Sequence, residues 1–597
     1  MRSSRGKVTG EMSLGNATGT LAVAQPRTDD VAQPRVGWAV VVLLVALGAA
    51  IGVAACSPAA EGPGDAGASD AAGDSGDAPA IFQCMGSRTC DGNQVRSCEN
   101  GVAGSVLQVC DPSEICAAGR CLTQSCANAE RAQSLSGCLF YGALADNVDR
   151  DDALTSSLIV VNPSNSVSAT VTLLSHADSK MWAEIQNVLV PAGGAERFVV
   201  PNRHQENVGI ARGLAFRVES DQPVFATLIQ SDDATEMSES SGGTMLLPNH
   251  ALGNEYMVMT YPQLPLPSLL ASPGSHDGAG EVTLVATAND TMIAVHLSAT
   301  ASLEAGGVVP ALGPGEIFSA SLDDGDVLVL RSRDDGTDLS GSVIDTSRPV
   351  VVMSGNLFTS YGLSAPGINS PDLVMEEMLP LKDWSQSYVA ARLGPQKDTC
   401  DSLFGGASSL WRVLAAHDDT HVTFEAPLGL AAGLPSGELV LNAGEVREIL
   451  VSTAGSFHIK ASKPILATQG MDCEATLSAG ISTNSLWNDF RFALPPNFDH
   501  ELLVIRPDTS PISLDGKPID EALFQPAGGT YQAARVSIPP CVGHPRNCIH
   551  HLEAPTPDGG APTGFGLTLR GMDVLCAYAL TPFTWNRCTM ASPDCIP

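Results

Sequence analysis

Short runs of alternating apolar and polar residues, separated by turn residues, dominate the chain from Cys126 onward. Val, Ile and Thr are concentrated in these runs, and the pattern predicts β-strands. The runs also recur in a fixed order. An apolar strand, a polar turn and an alternating strand come first, a segment expected to form a hairpin. A turn of small residues and a strand follow. A third segment carries Pro223, Pro349 and Pro464, which we expect in the turn before an apolar strand.

Four such series, spaced by roughly 110 to 125 residues, indicate an internal repeat. Each series supplies about six or seven strands, which is enough for one β-sandwich. The sequence therefore predicts an all-β fold of tandem β-sandwich-like repeats, preceded by a small disulfide-rich module. The repeats are expected at about 126–245, 246–377, 378–492 and 493–597. The alternative is that the repeats pack into one larger β assembly.

An uncharged apolar run occupies residues 36–55 and ends in Val53-Ala54-Ala55-Cys56. This ending resembles the lipobox of bacterial lipoproteins, in which the cysteine is acylated and becomes the first mature residue. We therefore predict a lipoprotein signal over residues 1–55 and lipidation of Cys56, with an uncleaved membrane anchor as the alternative. Residues 57–80 contain only small residues, proline and acidic residues, so residues 56–80 are predicted to form a disordered tether.

Six cysteines fall within residues 81–125. So short a segment cannot bury enough apolar surface to fold alone, and it lacks the paired short spacings of a zinc site. The spacing predicts a disulfide-rich module, but the pairing stays open because six cysteines allow many combinations. The six are Cys84, Cys90, Cys98, Cys110, Cys116 and Cys121.

Nine further cysteines are disulfide candidates, and because nine is odd, one is unpaired or finds a partner elsewhere. We expect Cys541 and Cys548 to close a small loop. Cys400 with Cys473, and two of the last three cysteines with each other, are further candidate pairs. The nine are Cys126, Cys138, Cys400, Cys473, Cys541, Cys548, Cys576, Cys588 and Cys595.

The charge of the chain narrows the classes of partner. With 65 acidic and 32 basic residues, the formal net charge is -33. A surface of that sign repels phosphates, so nucleic acid is not an expected partner. The 16 cysteines favour an oxidising compartment.

Several ordered motifs resemble those of a known family. They begin with Gly137-Cys138-Leu139-Phe140-Tyr141-Gly142 and Asp146-Asn147, and continue with Ser231-Asp232-Asp233-Ala234-Thr235, Leu246-Leu247-Pro248, Leu252-Gly253, Glu255-Tyr256, Thr283-Leu284-Val285-Ala286-Thr287 and Asn289-Asp290-Thr291. Together they resemble bacterial proteins that carry the domain named after the N-terminal region of the IgGFc-binding protein. The resemblance covers roughly residues 126–590. It implies an extracellular, β-rich binding domain, and it carries no binding-residue motif.

Four groups of residues invite a chemical role. Two Asp-Thr-Ser triplets would suit an aspartic protease, yet they fall at non-equivalent turns of the repeats. The cysteines and histidines of residues 541–551 would suit a metal, although a disulfide is the favoured interpretation. His417 and His421 flank a turn. Two acidic turns would suit Ca²⁺, but they lack the full ligand spacing. The triplets are Asp345-Thr346-Ser347 and Asp508-Thr509-Ser510. The cysteines and histidines are Cys541, His544, Cys548, His550 and His551. The acidic turns are Asp323-Asp324-Gly325-Asp326 and Asp334-Asp335-Gly336-Thr337-Asp338.

No familiar catalytic motif occurs in the sequence, so we predict no catalytic residues, no metal and no cofactor. The leading hypothesis is a non-catalytic adhesion or binding protein at the bacterial cell surface, held in the outer membrane by its lipid anchor. Its partner is expected to be a protein or a glycan. An extracellular hydrolase with loop carboxylates and a structural envelope component are the alternatives.

Overall fold

Antiparallel β-strands form almost all of the regular structure. The computed structural model describes residues 88–583 except residues 100–101, 148–154, 177–180, 202, 233–239, 264–277, 362–371, 394–408, 428–432, 452–454, 472–475, 497, 508, 555–563 and 573–576. The signal, the lipidation site and the tether lie outside these residues. So do Cys56, Cys84, Cys400, Cys473, Cys576, Cys588, Cys595 and Asp508. Within the described part of the chain, no helix is long and apolar enough to cross a membrane.

A small disulfide-bonded module comes first. Strands β1 (Arg88–Asp91), β2 (Gln94–Glu99) and β3 (Val102–Val109) form one sheet, and β4 (Glu114–Ala117) pairs with β5 (Arg120–Thr123). Disulfides join Cys90 to Cys116 and Cys110 to Cys121, and Cys98 is disulfide-bonded as well. The structure thus confirms disulfides in the N-terminal region, where little apolar surface is buried.

One α-helix connects this module to the repeats. Helix α1 (Gln124–Ala132) begins after Thr123, whose hydroxyl accepts a hydrogen bond from the Cys126 N–H at 3.3 Å. This side chain caps the helix N-terminus. A disulfide between Cys126 and Cys138 then fastens the helix to the first strand of the first repeat.

Each repeat folds into one structural unit, numbered 1 to 4 along the chain. Unit 1 contains β6 (Gly137–Gly142), β7 (Ser156–Val161), β8 (Ala169–His176), β9 (Trp182–Val190), β10 (Ala195–Val200), β12 (Phe216–Gln230) and β13 (Gly242–Met245). Strand β11 (Gly209–Ala211) pairs instead with residues 327–329, which belong to the second repeat. Unit 2 contains β14 (Gly253–Met257), β15 (Gly280–Ala286), β16 (Thr291–His296), β17 (Ile317–Leu322), β18 (Val327–Arg331), β19 (Val343–Thr359) and β20 (Asp372–Glu377).

Units 3 and 4 follow the same order of strands. Unit 3 contains β21 (Ser385–Ala390), β22 (Ser409–Ala415), β23 (Thr420–Glu425), β24 (Leu439–Leu441), β25 (Val446–Val451), β26 (Phe457–Met471), β27 (Thr476–Ala479) and β28 (Ile481–Ser482). Unit 4 contains β29 (Asp489–Ala493), β30 (Asp499–Arg506), β31 (Ser513–Leu514), β32 (Lys517–Pro518), β33 (Gln525–Pro526), β34 (Gln532–Ile538), β35 (Ile549–Glu553), β36 (Gly566–Met572) and β37 (Ala577–Leu580). Short 3-10 helices span Asn249–Ala251, Leu381–Asp383, Glu521–Leu523 and Pro545–Asn547.

Every unit has an inner and an outer sheet. The inner sheets run β10-β7-β12-β13, β18-β15-β19-β20, β25-β22-β26-β27 and β34-β30-β36-β37, and the outer sheets run β6-β12-β8-β9, β14-β19-β16-β17, β21-β26-β23-β24 and β29-β35-β31-β32. In unit 3, Trp411 and Val413 of the inner sheet share one apolar cluster with Tyr388 and Val422 of the outer sheet. The all-β fold of sandwich-like repeats is therefore confirmed.

One long strand passes from the inner to the outer sheet in each of units 1 to 3. These strands are β12, β19 and β26, and each contains one of the three repeated prolines, Pro223, Pro349 and Pro464. The expectation that these prolines lie in a turn is wrong. Each lies inside a strand, near the point where the strand changes pairing partners, so the missing N–H interrupts no continuous ladder.

The first segment of each repeat is not a hairpin either. Strand β15 pairs with β18 and β19, whereas β16, the next strand in sequence, pairs with β17 and β19. The turn between them, which contains Asp290 with a positive φ of 55°, crosses from the inner to the outer sheet. A hairpin within one sheet and a connection between two sheets have the same sequence pattern, namely two strands around a polar turn. The sequence therefore did not distinguish these two arrangements.

The units also pack against one another. Strand β13 packs against β20 and β37, and β27 packs against the same two strands, so the last inner strands of the four units form a closed ring. Apolar clusters cross the junctions, as in the group of Tyr361, Val374, Leu410 and Leu477 between units 2 and 3. Each repeat is thus a sandwich, and the sandwiches share a larger β assembly.

Candidate functional site

A buried arginine joins units 1 and 2. Arg331, the last residue of β18, has no exposed surface. Its Nε donates to Glu281 Oε2 at 2.8 Å in the adjacent strand, and its Nη2 donates to Asp146 Oδ2 at 3.0 Å in unit 1. Two further bonds reach the carbonyls of Gln205 and Glu206. Burial acts to lower the pKa of Arg331, but the two carboxylates raise it above its ordinary value.

A second buried arginine joins units 2 and 3. Arg412 of β22 donates to Asp338 Oδ2 at 2.5 Å and to the carbonyl of Thr260. Burial acts to raise the pKa of Asp338, yet the Arg412 guanidinium lowers it below the ordinary value. One of the predicted calcium turns therefore supplies an ion pair across a unit boundary.

Another ion pair closes the ring between units 4 and 1. Arg546 donates to Glu196 at 2.9 and 3.1 Å, and His544 Nε2 lies 3.1 Å from the same carboxylate. Beside them, the rings of Phe225 and Phe490 lie 5.1 Å apart. Among the described residues, the junctions of units 1 and 2, 2 and 3, and 4 and 1 thus contain an arginine–carboxylate contact.

Asp372 ties three units together near the ring of inner strands. It begins β20 and is fully buried. Its Oδ1 accepts the Ser241 N–H of unit 1 at 2.6 Å, and its Oδ2 accepts the Ala577 N–H of unit 4 at 3.0 Å. One carboxylate of unit 2 therefore satisfies backbone donors of units 1 and 4.

Two adjacent buried carboxyl groups lie in the same strand. Glu376 and Glu377 are 4% and 3% exposed, and one oxygen of each has no hydrogen-bonding partner among the described residues. Burial raises the pKa of both groups well above the ordinary 4.5, and the Glu377 charge raises that of Glu376 further. Burial and the neighbouring charge thus both act against the charged form of Glu376.

Replacing Glu376 by glutamine is expected to stabilise the protein at about pH 8 and to change little at about pH 4. The pKa of Glu376 in the folded state is raised above its value in the unfolded state. The stability that this group contributes is therefore fully present below the unfolded-state pKa, and it is lost as the pH rises through the folded-state pKa. Each such group lowers the free energy of unfolding by up to about 1.4 kcal/mol per pH unit over this range. Urea unfolding across this pH range measures the effect, with Glu445→Gln as control, because the Glu445 side chain is 38% exposed. Equal pH slopes for wild type and Glu376→Gln would contradict it.

An open cleft lies at one end of the inner sheet of unit 4, and we call it the His500 cleft. Its volume is about 460 Å³, and its lining combines two carboxylates, an arginine, a histidine and apolar side chains. Sequence reasoning missed it, although an arginine that follows an apolar run, as Arg570 does in β36, was an available signal. The lining residues are Asp499, His500, Glu501, Ser537, Ile538, Pro539, Pro540, Arg570 and Met572.

The structure separates the metal candidates near the end of the chain. Cys541 and Cys548 form a disulfide. The three histidines then pair with three different carboxylates. His544 contacts Glu196, His550 Nδ1 lies 2.8 Å from Asp515, and His551 Nε2 lies 3.0 Å from Asp489. These side chains therefore do not converge on one point.

The other predicted chemical groups bind neighbouring protein atoms. Asp345 is half-exposed and lies 3.4 Å from His296. His421 lies between Asp419 and Glu438, at 3.2 and 2.9 Å. His417 accepts a hydrogen bond from Thr420 through its carbonyl, as expected for a turn residue. Asp508 lies outside the described residues, so its carboxylate cannot be compared with that of Asp345.

The acidic turn at residues 323–326 is also bound by protein groups. Asp324 accepts a hydrogen bond from the Trp182 indole at 2.9 Å, and Asp326 accepts one from the Asp323 N–H at 3.0 Å. Among the described residues, one group of side chains has metal-binding spacing, Cys110, Glu114 and Cys121, and its two cysteines are joined in a disulfide.

Two of the motifs that carry the family resemblance, Asp146-Asn147 and the one that begins at Ser231, meet at one end of unit 1. Asn147 donates to Ser231 Oγ at 3.2 Å, and Asp232 accepts two bonds from Arg197 at 2.8 and 3.0 Å. Asp146, next in sequence to Asn147, contacts Arg331. These motif residues therefore fasten segments within unit 1, and Asp146 also joins unit 1 to unit 2.

Comparisons with known proteins agree with this resemblance. The profile of the family described as IgGFc binding protein matches residues 242–571, more than half of the chain. A human protein named "IgGFc-binding protein" is 27% identical over 243 residues, which cover 40% of this chain and 4% of that protein. The chain thus spans only a small part of its relative. No solved structure matches the chain.

Proposed function

The chain belongs to the IgGFc-binding protein family, and from this premise we propose that it is a non-catalytic binding protein that recognises a protein ligand at the bacterial cell surface. The observation that carries the proposal is the family match over residues 242–571. This match covers units 2 and 3 and most of unit 4. We therefore expect the ligand-binding surface within these units.

The exposed face of the outer sheet of unit 2 is the best surface for such a ligand. Met292 and Ile317 are each 55% exposed, and they lie on the same face of paired strands β16 and β17. Ala294, Ser319 and Ser321 lie between and beside them, and His296, opposite Ile317, contacts Asp345 at the edge of this patch. On a chain of net charge -33, a patch with two large, exposed apolar side chains suits a protein partner better than it suits water.

Replacing Ile317 by aspartate is expected to weaken ligand binding about tenfold or more, because a charge would be desolvated in the interface. Human immunoglobulin Fc is the first probe, since the relative's name refers to it. Proteins from an extract of the native environment are the second. Surface plasmon resonance with the full chain measures the affinity for each bound protein.

Leu450→Asp provides the matched control, because Leu450 is 50% exposed on β25 of unit 3 and should tolerate the charge. Equal binding by wild type and Ile317→Asp would place the ligand elsewhere. Failure of the full chain to bind Fc or any extracted protein saturably would contradict the proposed function itself.

The proposed location rests on the N-terminal sequence. The apolar run over residues 36–55 and the lipobox-like ending at Cys56 support export and acylation. Residues 57–80 would then hold the repeats clear of the membrane, with a root-mean-square span of roughly 25 to 30 Å. This order of segments in the sequence supports a surface protein that is held in the outer membrane by its lipid.

Mass spectrometry of the protein purified from its native cells is expected to find Cys56 as an acylated first residue. Cys56→Ser should remove the lipid and release the protein from the membrane fraction. An unmodified Cys56, or an intact segment over residues 36–55, would contradict the lipid anchor and leave protein binding by the repeats unaffected.

A hydrolase is the second candidate, and one observation favours it. Asp499 and Glu501 both line the His500 cleft, as a pair of catalytic carboxylates would. Glu501, however, is engaged by Arg570 at 3.4 Å. Release of reducing ends or peptides from an envelope extract by wild type, but not by Glu501→Gln, would support hydrolysis.

A further inference from the structure

Strand β17 is a free edge of the outer sheet of unit 2. The sheet runs β14-β19-β16-β17, and among the described residues β16 is the strand that pairs with β17. The other side of β17 therefore keeps backbone N–H and C=O groups that no neighbouring strand satisfies. An exposed edge of this kind can accept a strand from another chain.

Two hydrogen bonds show which backbone groups face which neighbour. In an antiparallel sheet, the N–H and C=O of one residue point to one side of the strand, and those of the next residue point to the other side. The Leu297 N–H donates to the Glu316 carbonyl at 3.0 Å, so the Glu316 carbonyl points toward β16. The Met292 N–H donates to Ser347 Oγ of β19 at 2.9 Å, which fits the same alternation along β16. Every second residue from Glu316 onward therefore points its backbone toward β16.

Three residues of β17 present both backbone and side chain to solvent. They are Ile317, Ser319 and Ser321, whose N–H and C=O groups point away from β16 by this alternation. Their side chains are exposed, whereas Phe318 and Leu322 between and after them are buried. In the described part of the chain, no protein group bonds to these three N–H and three C=O groups. The edge thus offers donors and acceptors in the spacing of an extended main chain.

The sequence of β17 lacks the features that usually prevent pairing at an edge. It reads IFSASL, with no charge and no proline, whereas exposed edges are commonly protected by lysine, proline, charges or bulges. In unit 4 the outer edge strand β32 is Lys517–Pro518. In unit 1 the edge strand β9 contains Glu184 and a register shift, and in unit 3 the edge strand β24 has only three residues. Among these four edges, β17 is therefore the best acceptor.

The surroundings of the edge determine which chain fits it. Ile317 is 55% exposed, and a ligand residue directly across from it would lie on the same face and cover it if apolar. Acidic residues stand at both ends of the strand, since Glu316 precedes it and Asp323 follows it. Asp345, where it contacts His296, adds a half-exposed carboxylate to the same sheet. This charge favours a segment that is uncharged in the middle and basic at its ends.

A second copy of the chain fits this edge less well. Antiparallel pairing of two β17 strands about Ser319 would place Glu316 of one copy opposite Leu322 of the other, beside Asp323. Like charges at such positions disfavour pairing, and this contact would occur at both ends of the paired strands. Each copy also carries a net charge of -33.

We propose that β17 binds an extended segment of a protein ligand by strand addition. The backbone of Ile317, Ser319 and Ser321 bonds to the main chain of the segment, which has apolar residues at alternate positions and Lys or Arg at its ends. This inference rests on the protein binding proposed above, and it states how the ligand is held beside the Met292 and Ile317 patch.

Surface plasmon resonance of the full chain with the capped peptide Lys-Thr-Val-Thr-Val-Thr-Lys tests the proposal. We expect saturable binding. The same peptide with every central amide N-methylated keeps its side chains but cannot donate main-chain hydrogen bonds, so it should bind at least about tenfold more weakly. A peptide with Glu in place of both Lys should bind about fivefold more weakly, because its ends repel the acidic ends of β17.

Ser319→Pro is the variant that tests the edge itself. Proline removes an outward N–H and leaves the bonds to β16 in place, so it should weaken peptide binding about tenfold or more. Leu189→Pro in β9 is the matched control. Leu189 lies opposite Thr170, whose N–H points to Asp221 on the other side, so the Leu189 N–H also faces away from its neighbouring strand. This control should leave peptide binding unchanged, and circular dichroism checks that both variants fold.

The outcomes separate strand addition from protein binding in general. Absence of peptide binding, equal binding of the N-methylated peptide, or equal binding by wild type and Ser319→Pro would overturn strand addition. The N-methylated peptide decides alone if Ser319→Pro does not fold. Self-association of the full chain that Ser319→Pro removes, measured by analytical ultracentrifugation, would assign the edge to a second copy and overturn the ligand assignment.

Fc or an extracted protein that binds wild type and Ser319→Pro equally would retain the proposed function and reject strand addition. Peptide binding without saturable binding of Fc or any extracted protein would instead contradict the proposed function and leave β17 as a peptide acceptor.

Discussion

Replacing Arg331 by methionine is expected to lower the free energy of unfolding by about 3–5 kcal/mol. The guanidinium is fully buried and makes ion pairs with Glu281 and Asp146, which are 4% and 2% exposed. Methionine fills much of the space but leaves both carboxylates buried without their cation. Removing one partner of a buried ion pair is costly for this reason, even where the complete pair contributes little.

Arg333→Met is the matched control for this measurement. Arg333 lies two residues away, is 39% exposed and pairs with the exposed Asp334, so its loss should cost less than about 1 kcal/mol. Urea unfolding at neutral pH compares the two variants. The triple variant Arg331→Met, Asp146→Asn, Glu281→Gln should recover part of the loss, because no uncompensated charge remains. Similar stabilities of Arg331→Met and Arg333→Met would show that the buried cluster does not join the units.

Replacing Asp372 by asparagine is expected to cost at least about 2 kcal/mol. Both carboxylate oxygens accept a backbone N–H, from Ser241 of unit 1 and from Ala577 of unit 4. The asparagine side chain has one acceptor oxygen and one NH₂ group. Whichever way it turns, a donor faces a donor, and one buried N–H loses its partner. Thermal unfolding monitored by circular dichroism measures the change.

Asp489→Asn is a suitable control, since the side chain of Asp489 is 60% exposed and contacts His551 at the surface. Hydrogen exchange adds a local readout. The Ser241 and Ala577 amides should exchange faster in Asp372→Asn, while amides of the unit 3 core keep their protection. Unchanged exchange at both amides would contradict a bridging role for this carboxylate.

The repeat was predictable because its signal is local. Alternation along each strand, such as the one that holds Thr291, Ile293 and Val295 inward and Met292 outward, follows from the two-residue period of a strand. Turn residues mark the strand ends in the same way. The disulfide-rich module followed from its cysteine density, although the Cys90–Cys116 and Cys110–Cys121 pairing did not. Spacing limits which cysteines can pair but does not select among them.

Pairing between strands was less predictable, because a strand pattern does not name its neighbour. The segment from β15 to β16 has the pattern of a hairpin, yet its two strands belong to different sheets. Pro349 lies within β19, where the strand changes partners. Both errors have one physical cause. Whether the chain turns back within one sheet or crosses to the other sheet depends on which apolar faces the rest of the fold covers.

By itself, the sequence determined the all-β class, the fourfold repeat and the family, since each rests on local periodicity or on ordered motifs. Only the tertiary structure decided which side chains meet. Arg331 and Asp146 are 185 residues apart and belong to different units, and they come into contact because neighbouring sandwiches pack together. His500, Gly571 and Tyr578 form one row because β30, β36 and β37 are neighbours in one sheet. Long-range contacts depend on packing and strand order, which no short stretch of sequence encodes.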